Sequence, residues 1–168
     1  ILKNVRVSKD DILGKEGQGL KMALASLDSG RMGIATQALG IAQGAIDETI
    51  KYVKERKQFG KRISQFQNTQ FKLAELQTKV DAGRMLVWRC AMLKDAGLPF
   101  GKEAAMAKLY NSDVANLVTR ECVQLSGGYG YTREYPMERM MRDAKITEIY
   151  EGTSEAQKMV ISRAIGVK

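Results

Sequence analysis

One short segment late in the chain combines an acid with residues that can begin a helix. Residues 149–155 have the sequence Ile-Tyr-Glu-Gly-Thr-Ser-Glu, and a helical pattern starts after Thr153. Thr153 or Ser154 can cap that helix, whose free N–H groups favour an anion or an oxygen dipole. Gly152 permits a ligand to approach closely, so Glu151 could present its acid to that ligand. The ordinary alternative is a helix start with an acidic residue near its positive end.

Charged residues at two other places have both a ligand-binding and a structural explanation. Arg56, in Glu55-Arg56-Lys57-Gln58-Phe59-Gly60, carries a guanidinium that suits a pyrophosphate through paired N–H groups. The structural alternative is an arginine at the negative end of a helix dipole. Asp28 and Arg31 are three residues apart on a predicted helix, so an intrahelical ion pair explains them without a ligand.

The glycines of Gly127-Gly128-Tyr129-Gly130 suggest a dinucleotide-binding fingerprint, but their context argues against it. A Rossmann motif follows a strand, and no strand is predicted before these residues. A turn that ends a helix needs glycine for a positive φ, and this explains the glycines without a nucleotide.

The elements that must position these residues are predicted to be helices. The chain has only two prolines, and its apolar residues recur with helical spacing. We expect an extended lead-in at the start, a loop at the glycine motif, and helices over residues 20–54, 64–95, 102–125, 136–144 and 154–165. The predicted fold class is all-α, an antiparallel up-and-down helical bundle. We assign Trp88 to core packing and Arg142 with Asp143 to a helix-end pair.

Composition excludes several kinds of chemistry. The chain has no histidine, so a triad that needs imidazole is excluded, and no Cys/His cluster has metal-ligand spacing. Cys90 and Cys122 lie in apolar helical patterns and are expected to be buried free thiols. No apolar run is long enough for a membrane span. The formal charge of +8 is spread among acids, which favours a solvated helical surface over a nucleic-acid partner.

Four stretches, in this order, resemble motifs of the acyl-CoA dehydrogenase family. They are Glu55-Arg56-Lys57-Gln58-Phe59-Gly60, Gln124-Leu125-Ser126-Gly127-Gly128-Tyr129-Gly130-Tyr131, Met141-Arg142-Asp143-Ala144-Lys145 and Ile149-Tyr150-Glu151-Gly152-Thr153. The resemblance covers essentially the whole chain. It implies a C-terminal helical bundle domain over residues 13–168, with residues 1–12 leading in from a missing central β-domain. The chain is therefore expected to be a fragment that is inactive alone.

The resemblance implies FAD-dependent α,β-dehydrogenation of acyl-CoA thioesters, with short-chain, butyryl-CoA-type members the most similar. In that reaction Glu151 abstracts the α proton while a hydride passes from the β carbon to flavin N5, which gives a trans-2-enoyl-CoA. Burial would make such a carboxylate more basic, because a dry pocket disfavours its charged form. We therefore expect the Glu151 side chain to lie away from solvent.

The resemblance also assigns residues to the ligands. For FAD they are Arg56, Gln58, Phe59, Phe66, Gln67, Gln124, Gly128, Thr153, Ser154 and Glu155. The arginine and the glycine-rich motif are expected to contact the cofactor of a neighbouring subunit. For the acyl-CoA substrate they are Asp28, Arg31 and Gly152.

Partners and alternatives follow from the same resemblance. It implies an electron-transfer flavoprotein as electron acceptor, a homotetramer built as a dimer of dimers, and a location in the bacterial cytoplasm or the mitochondrial matrix. A glutaryl-CoA-type decarboxylating dehydrogenase would use the same glutamate. A helical assembly module that lost catalysis is the non-enzymatic alternative, although Glu151, Arg56 and Gln124 all being present argues against it.

Overall fold

Five helices and one small hairpin make up the computed structural model, which describes residues 1–167. The helices are α1 (Gly19–Glu55), α2 (Gln67–Asp95), α3 (Gly101–Ser126), α4 (Met137–Ile146) and α5 (Ser154–Ala164). The hairpin, β1 (Lys57–Gln58) and β2 (Lys61–Arg62), joins α1 to α2. Short 3-10 helices cover Lys9–Asp11, Ile63–Gln65 and Gly127–Tyr131. The predicted all-α bundle is confirmed.

Side-chain pairs show that α2 and α3 are antiparallel. Lys72, early in α2, lies 3.2 Å from Glu121, late in α3. Arg89, late in α2, lies 3.5 Å from Glu103, early in α3. The short connection between the two helices, residues 96–100, enforces this direction.

Helices α1 and α3 run parallel, with the chain from α4 to α5 antiparallel across them. The Tyr52 and Tyr135 rings meet edge to face with centroids 5.6 Å apart, near the end of α1. Further back along α1, the Tyr150 hydroxyl donates to Gln37 at 2.7 Å. Tyr135 thus lies against the end of α1, and Tyr150 lies against an earlier part of it. This strip of chain therefore runs back along α1 and brings Glu151 to the end of the bundle where α1 begins.

The core lies between α1, α2 and α3 and depends on alanine for its close packing. Ala35, Ala38, Ala42 and Ala45 form a helical stripe on α1 with no exposed surface. Such small side chains let two helix axes approach closely, and larger side chains fill the remaining space. From α2 and α3 these are Leu76, Val80, Val87, Val114 and Val118.

Several local predictions are wrong. Trp88 is 57% exposed and belongs to an apolar surface of α2 instead of the core. Arg142 pairs with Glu138 at 2.8 Å instead of Asp143, because residues four apart share a helix face and adjacent residues do not. The glycine motif forms a 3-10 helix instead of a loop, and α2 begins at Gln67 instead of residue 64.

The two cysteines agree with the prediction. Cys90 and Cys122 are free and buried. Burial raises the pKa of the Cys122 thiol to about 11. Among the helices of residues 1–167, none combines the length and the apolarity that crossing a membrane requires.

Candidate active site

The candidate residues lie at two opposite ends of the bundle. We call one the Glu151 end; it comprises the early part of α1 and α3, residues 147–153 and the start of α5. We call the other the hairpin end; it comprises the end of α1, the hairpin, the start of α2 and residues 124–132. Arg31 and Arg56 are 25 positions apart along α1, which at 1.5 Å per residue separates the two ends by about 38 Å.

Glu151 has a backbone conformation that is rare for residues other than glycine. Its φ is 54°, and Gly152 follows with a φ of 92°. A left-handed conformation at such a residue costs about 1–3 kcal/mol and persists only where its surroundings enforce it. The carboxylate lies over Gly30 of α1, where an added Cβ would be 2.5 Å from Oε2. A side chain at position 30 would therefore displace the Glu151 carboxylate.

The prediction that Glu151 lies away from solvent is wrong for this chain, in which the residue is exposed. In the part of the chain that the structure describes, α1 lies against the Glu151 carboxylate at Gly30, and the residue remains open to solvent. A water-free pocket around Glu151 therefore needs a cover from outside these residues.

Two buried side chains hold the turn next to Glu151. The Lys108 ammonium donates to the carbonyl oxygen of Gly152 at 2.8 Å. The Gln157 amide donates to the same oxygen at 2.8 Å, and both side chains belong to residues with no exposed surface. The Ser154 backbone N–H donates to the Glu148 carbonyl at 3.0 Å and closes the turn.

Lys108 belongs to a row of polar side chains that sequence reasoning missed. Lys108, Ser112 and Asn116 are spaced by four residues on α3, so they share one face. They donate at 2.8, 2.8 and 3.1 Å to the backbone carbonyls of Gly152, Thr147 and Ala144, respectively. We call this row the polar ladder. Its signal in the sequence is three polar residues at helical spacing among the apolar residues of α3.

Neighbouring charges shift the pKa of Lys108 both upward and downward. Burial is the largest effect and lowers the pKa of Lys108, because it disfavours the ammonium. The Glu148 carboxylate raises this pKa, and Arg31 lowers it. Asp113 and Glu151 add smaller upward contributions. The acids of the Glu151 end thus favour the charged form of Lys108, and burial and Arg31 disfavour it.

Asp28 and Arg31 form the expected ion pair on α1, with Nη1 and Oδ1 2.8 Å apart. The Asp28 carboxylate also packs against Gly101, the first residue of α3, where the helix dipole favours a negative charge. The Nε atom of Arg31 is buried and has no hydrogen-bond partner among residues 1–167. The pair therefore has a structural explanation that leaves one arginine donor available.

The start of α5 supplies further polar groups at the Glu151 end. The Thr153 hydroxyl oxygen caps the helix by accepting from the Ala156 backbone N–H at 3.3 Å. The Ser154 hydroxyl is buried and has no partner within the described residues. Hydrogen bonds from its own backbone N–H and from the Thr153 side chain lower the pKa of Glu155. This helix start therefore presents an uncommitted hydroxyl beside Glu151.

The hairpin end has a second strained residue. Phe59 and Gly60 form the two-residue turn with φ values of 52° and 79°, both left-handed, as a type I′ turn requires. Phe59 is 91% exposed, and its ring meets Phe66 edge to face with centroids 6.4 Å apart. A bulky aromatic residue in this conformation is unusual and suggests a role beyond the turn itself.

Arg56 lies beside a groove at this end. Its guanidinium lies 5.2 Å from the centre of the Tyr129 ring. Within residues 1–167, no carboxylate lies within ion-pair distance of it. The groove has a volume of about 450 Å³, and its lining includes Arg56, Gln58 and Gly128. Phe59, Phe66, Gln67 and Gln124 lie outside this lining.

Comparison with known proteins gives one consistent result. Residues 17–166 match the family model described as "Acyl-CoA dehydrogenase, C-terminal domain". A short-chain specific acyl-CoA dehydrogenase of Clostridium acetobutylicum is 53% identical over 98% of this chain and 44% of its own length. An acryloyl-CoA reductase (NADH) of Anaerotignum propionicum is 54% identical over 98% of this chain and 42% of its own length.

Among solved structures, butyryl-CoA dehydrogenase from Megasphaera elsdenii matches with a TM-score of 0.96 at 50% identity. The match covers 98% of this chain and 43% of that protein. The chain thus spans less than half of each of these three proteins, between 42% and 44% of their length.

Proposed function

The chain belongs to the acyl-CoA dehydrogenase family, and on this premise we propose that it forms the helical part of an FAD-dependent enzyme acting on acyl-CoA thioesters. The enzyme introduces a double bond between the α and β carbons of the acyl group. The observation that carries this proposal is the Glu151 carboxylate, which a strained and buttressed turn holds over Gly30. Such a carboxylate on a rigid support is the arrangement that a general base needs.

Glu151 takes the α proton in this proposal. The α C–H bond breaks, the proton passes to a carboxylate oxygen, and the electron pair becomes the new carbon–carbon double bond. Bound FAD would supply the two-electron acceptor for the β hydrogen, which leaves its carbon as a hydride. The Glu151 backbone N–H donates to the thioester carbonyl and stabilises the charge that develops there. The product is a trans-2-enoyl-CoA.

The polar groups at both ends fit FAD. Arg56 is a cation without an acidic partner in the described chain and stands beside an open groove, which suits a pyrophosphate. The buried Ser154 hydroxyl has an unused donor at the start of α5, which suits a carbonyl or ring nitrogen of a flavin. Gln58 and Gly128 line the same groove as Arg56. Thr153 and Glu155 flank Ser154.

The separation of the two ends supports an oligomer. The residues assigned to FAD lie at both ends of the bundle, and these ends are separated by about 38 Å along α1. We propose that each FAD contacts Thr153, Ser154 and Glu155 of one subunit and the hairpin end of another, within a dimer of dimers. Phe59, Phe66, Gln67 and Gln124 lie at that end and would meet the cofactor of the neighbouring subunit.

Asp28, Arg31 and Gly152 are proposed to contact the acyl-CoA. Arg31 retains a buried donor with no partner among the described residues, which supports its assignment over that of Asp28. Short-chain substrates are proposed because of the identity to the Clostridium acetobutylicum protein. An electron-transfer flavoprotein would then reoxidise the flavin.

The test uses the whole protein that contains this chain, purified with FAD. Addition of butyryl-CoA without an electron acceptor should bleach the yellow colour of the flavin and yield crotonyl-CoA. Failure of every acyl-CoA to bleach the FAD-containing protein would favour a non-catalytic assembly module. Release of CO₂ from glutaryl-CoA would instead assign the decarboxylating reaction.

A second candidate is the reverse reaction, because the Anaerotignum propionicum relative is named a reductase. Protonated Glu151 would then deliver its proton to the α carbon while a hydride from reduced flavin reaches the β carbon. Oxidation of NADH that depends on an added 2-enoyl-CoA, measured with the whole protein and its partner subunits, would favour this direction.

A further inference from the structure

We infer that Lys108 is a positioning residue that keeps the Glu151 carboxylate aligned for proton transfer through its bond to the Gly152 carbonyl. This inference rests on the proposed function, in which Glu151 is the base. Lys108 itself touches neither the carboxylate of Glu151 nor a reacting atom; it acts on the backbone next to the base.

The polar ladder is the first argument. Each of its three side chains binds a different backbone carbonyl: Asn116 binds Ala144 within α4, Ser112 binds Thr147 at its end, and Lys108 binds Gly152 in the turn before α5. Lys108 is the first of the three along α3 and the only one that is charged. Its acceptor, Gly152, directly follows Glu151. The strongest donor of the ladder thus acts at the residue beside the base, since bonds from a charged donor are shorter and stronger.

Burial is the second argument. Lys108 has no exposed surface, and Gly152 O is its hydrogen-bond acceptor at 2.8 Å. Burying an ammonium is costly unless it is paired and hydrogen-bonded. The neighbouring acids Glu148, Asp113 and Glu151 attract it, and Arg31 repels it. A neutral polar residue could satisfy one carbonyl at a lower cost, so the charge needs an explanation beyond packing.

Backbone strain is the third argument. Glu151 and Gly152 are consecutive residues with left-handed φ values of 54° and 92°. Lys108 and Gln157 converge on the Gly152 oxygen and hold the following peptide unit in one orientation. Without Lys108, the Gln157 amide alone would restrain that carbonyl. The turn could then relax toward a common conformation, which would move the carboxylate away from Gly30.

Lys108→Met removes the ammonium and preserves most of the side-chain volume. We expect flavin reduction by saturating butyryl-CoA to slow by about tenfold to hundredfold, because an error of about 1 Å in a reacting group can cost a factor of 10². The kinetic isotope effect with α-deuterated butyryl-CoA should increase, since proton removal becomes more rate-limiting. FAD content should stay the same, and the KM for butyryl-CoA should change less than about threefold.

The matched control is Asn116→Ala, which removes a different bond of the same ladder. It should lower the unfolding temperature but leave the reduction rate and the isotope effect unchanged. Amide hydrogen exchange gives a readout independent of activity. Lys108→Met should accelerate exchange at the Ser154 amide, and Asn116→Ala should accelerate it near Ala144. Ethylamine added to Lys108→Ala should restore part of the reduction rate.

Lys108→Gln, polar and neutral, is measured in parallel so that the result does not depend on the folding of one variant. A normal reduction rate in Lys108→Met would overturn the inference, and so would a normal rate in Lys108→Gln if hydrogen exchange at its Ser154 amide is accelerated. So would loss of FAD or of cooperative unfolding in both variants, because Lys108 would then be structural only. If the unmodified protein shows no reduction, or Glu151→Gln stays active, the proposed function itself fails, and this outcome is distinct from the first two.

Discussion

The two ends of the bundle are built in different ways. At the Glu151 end, buried Lys108 and Gln157 bind the main chain directly, and their residues have no exposed surface. At the hairpin end, aromatic rings and one guanidinium meet at the surface, and Phe59 is 91% exposed. The first end is therefore preorganised within one chain, whereas the second is an exposed surface, where we propose that the cofactor of another subunit binds.

Both ends contain a left-handed backbone turn, but different contacts stabilise it. Glu151 and Phe59 each have a left-handed φ and each precede a left-handed glycine. Buried donors enforce the conformation of Glu151, and a two-residue hairpin turn enforces that of Phe59. Changes at the Glu151 end should therefore act on the rate of reaction, and changes at the hairpin end on cofactor retention. Four substitutions test this division.

Glu151→Gln should have the largest effect, because it keeps the shape of the side chain and removes the base. Turnover of butyryl-CoA should fall by about 10²–10⁴-fold, the usual contribution of a positioned base. FAD content should be unchanged, as measured from the flavin absorbance of the purified protein. Glu75→Gln, a similar change at an exposed position of α2, is the control and should leave turnover unaltered. Retained activity in Glu151→Gln would move the base elsewhere.

Gly30→Ala should have the next largest effect and should also act on rate. The new Cβ would lie 2.5 Å from the Glu151 carboxylate, so that carboxylate must move. We expect kcat to fall by about tenfold to hundredfold with FAD retained. Gly40→Ala is the matched control, since a Cβ there meets no atom within 4 Å. It should raise stability by up to about 1 kcal/mol, because alanine is the better helix former. Equal rates in both variants would refute the role of the Gly30 contact.

Arg56→Met should act on the cofactor instead. A hydrogen bond to a charged group contributes about 1.5–3 kcal/mol, so FAD affinity should fall by roughly 10- to 150-fold. Once FAD is supplied in excess, kcat should return to near the unmodified value. Titration of the apoprotein with FAD gives the affinity, and Arg133→Met, at an exposed arginine directly after the hairpin end, is the control. A loss of kcat that excess FAD does not restore would contradict the division between the ends.

Helical periodicity and glycine and cap signals were sufficient to predict the bundle, and α1 begins and ends within one residue of the predicted bounds. The Thr153 cap and the Asp28–Arg31 pair could also be predicted, because they depend on residues close in sequence. The polar ladder could not, because it joins α3 to carbonyls 28–44 residues away. Glu151 is exposed, although a position away from solvent was predicted, because solvent exclusion depends on surroundings that the local sequence does not specify.

Phe59→Asn should have the smallest effect of the four substitutions, and it separates two explanations of the strained turn. Asn-Gly is the preferred pair for a type I′ turn, because asparagine tolerates a left-handed φ. The substitution also loses the edge-to-face contact with Phe66, a contact worth about 0.5–1.5 kcal/mol. Relief of about 1–3 kcal/mol of strain opposes the loss of this contact, so the unfolding free energy should change by no more than about 2.5 kcal/mol.

The FAD affinity of Phe59→Asn distinguishes a role in the turn from a role in cofactor binding. If the phenylalanine served only the turn, Phe59→Asn would bind FAD as well as the unmodified protein. The proposed contact with the cofactor of a neighbouring subunit predicts a loss of affinity of about twofold to tenfold, as expected for one aromatic contact. Phe71→Asn, at an exposed phenylalanine of α2, controls for the loss of an exposed aromatic ring. If Phe59→Asn relieves the strain of the turn but binds FAD less well, the strained conformation of Phe59 serves ligand binding, as that of Glu151 does.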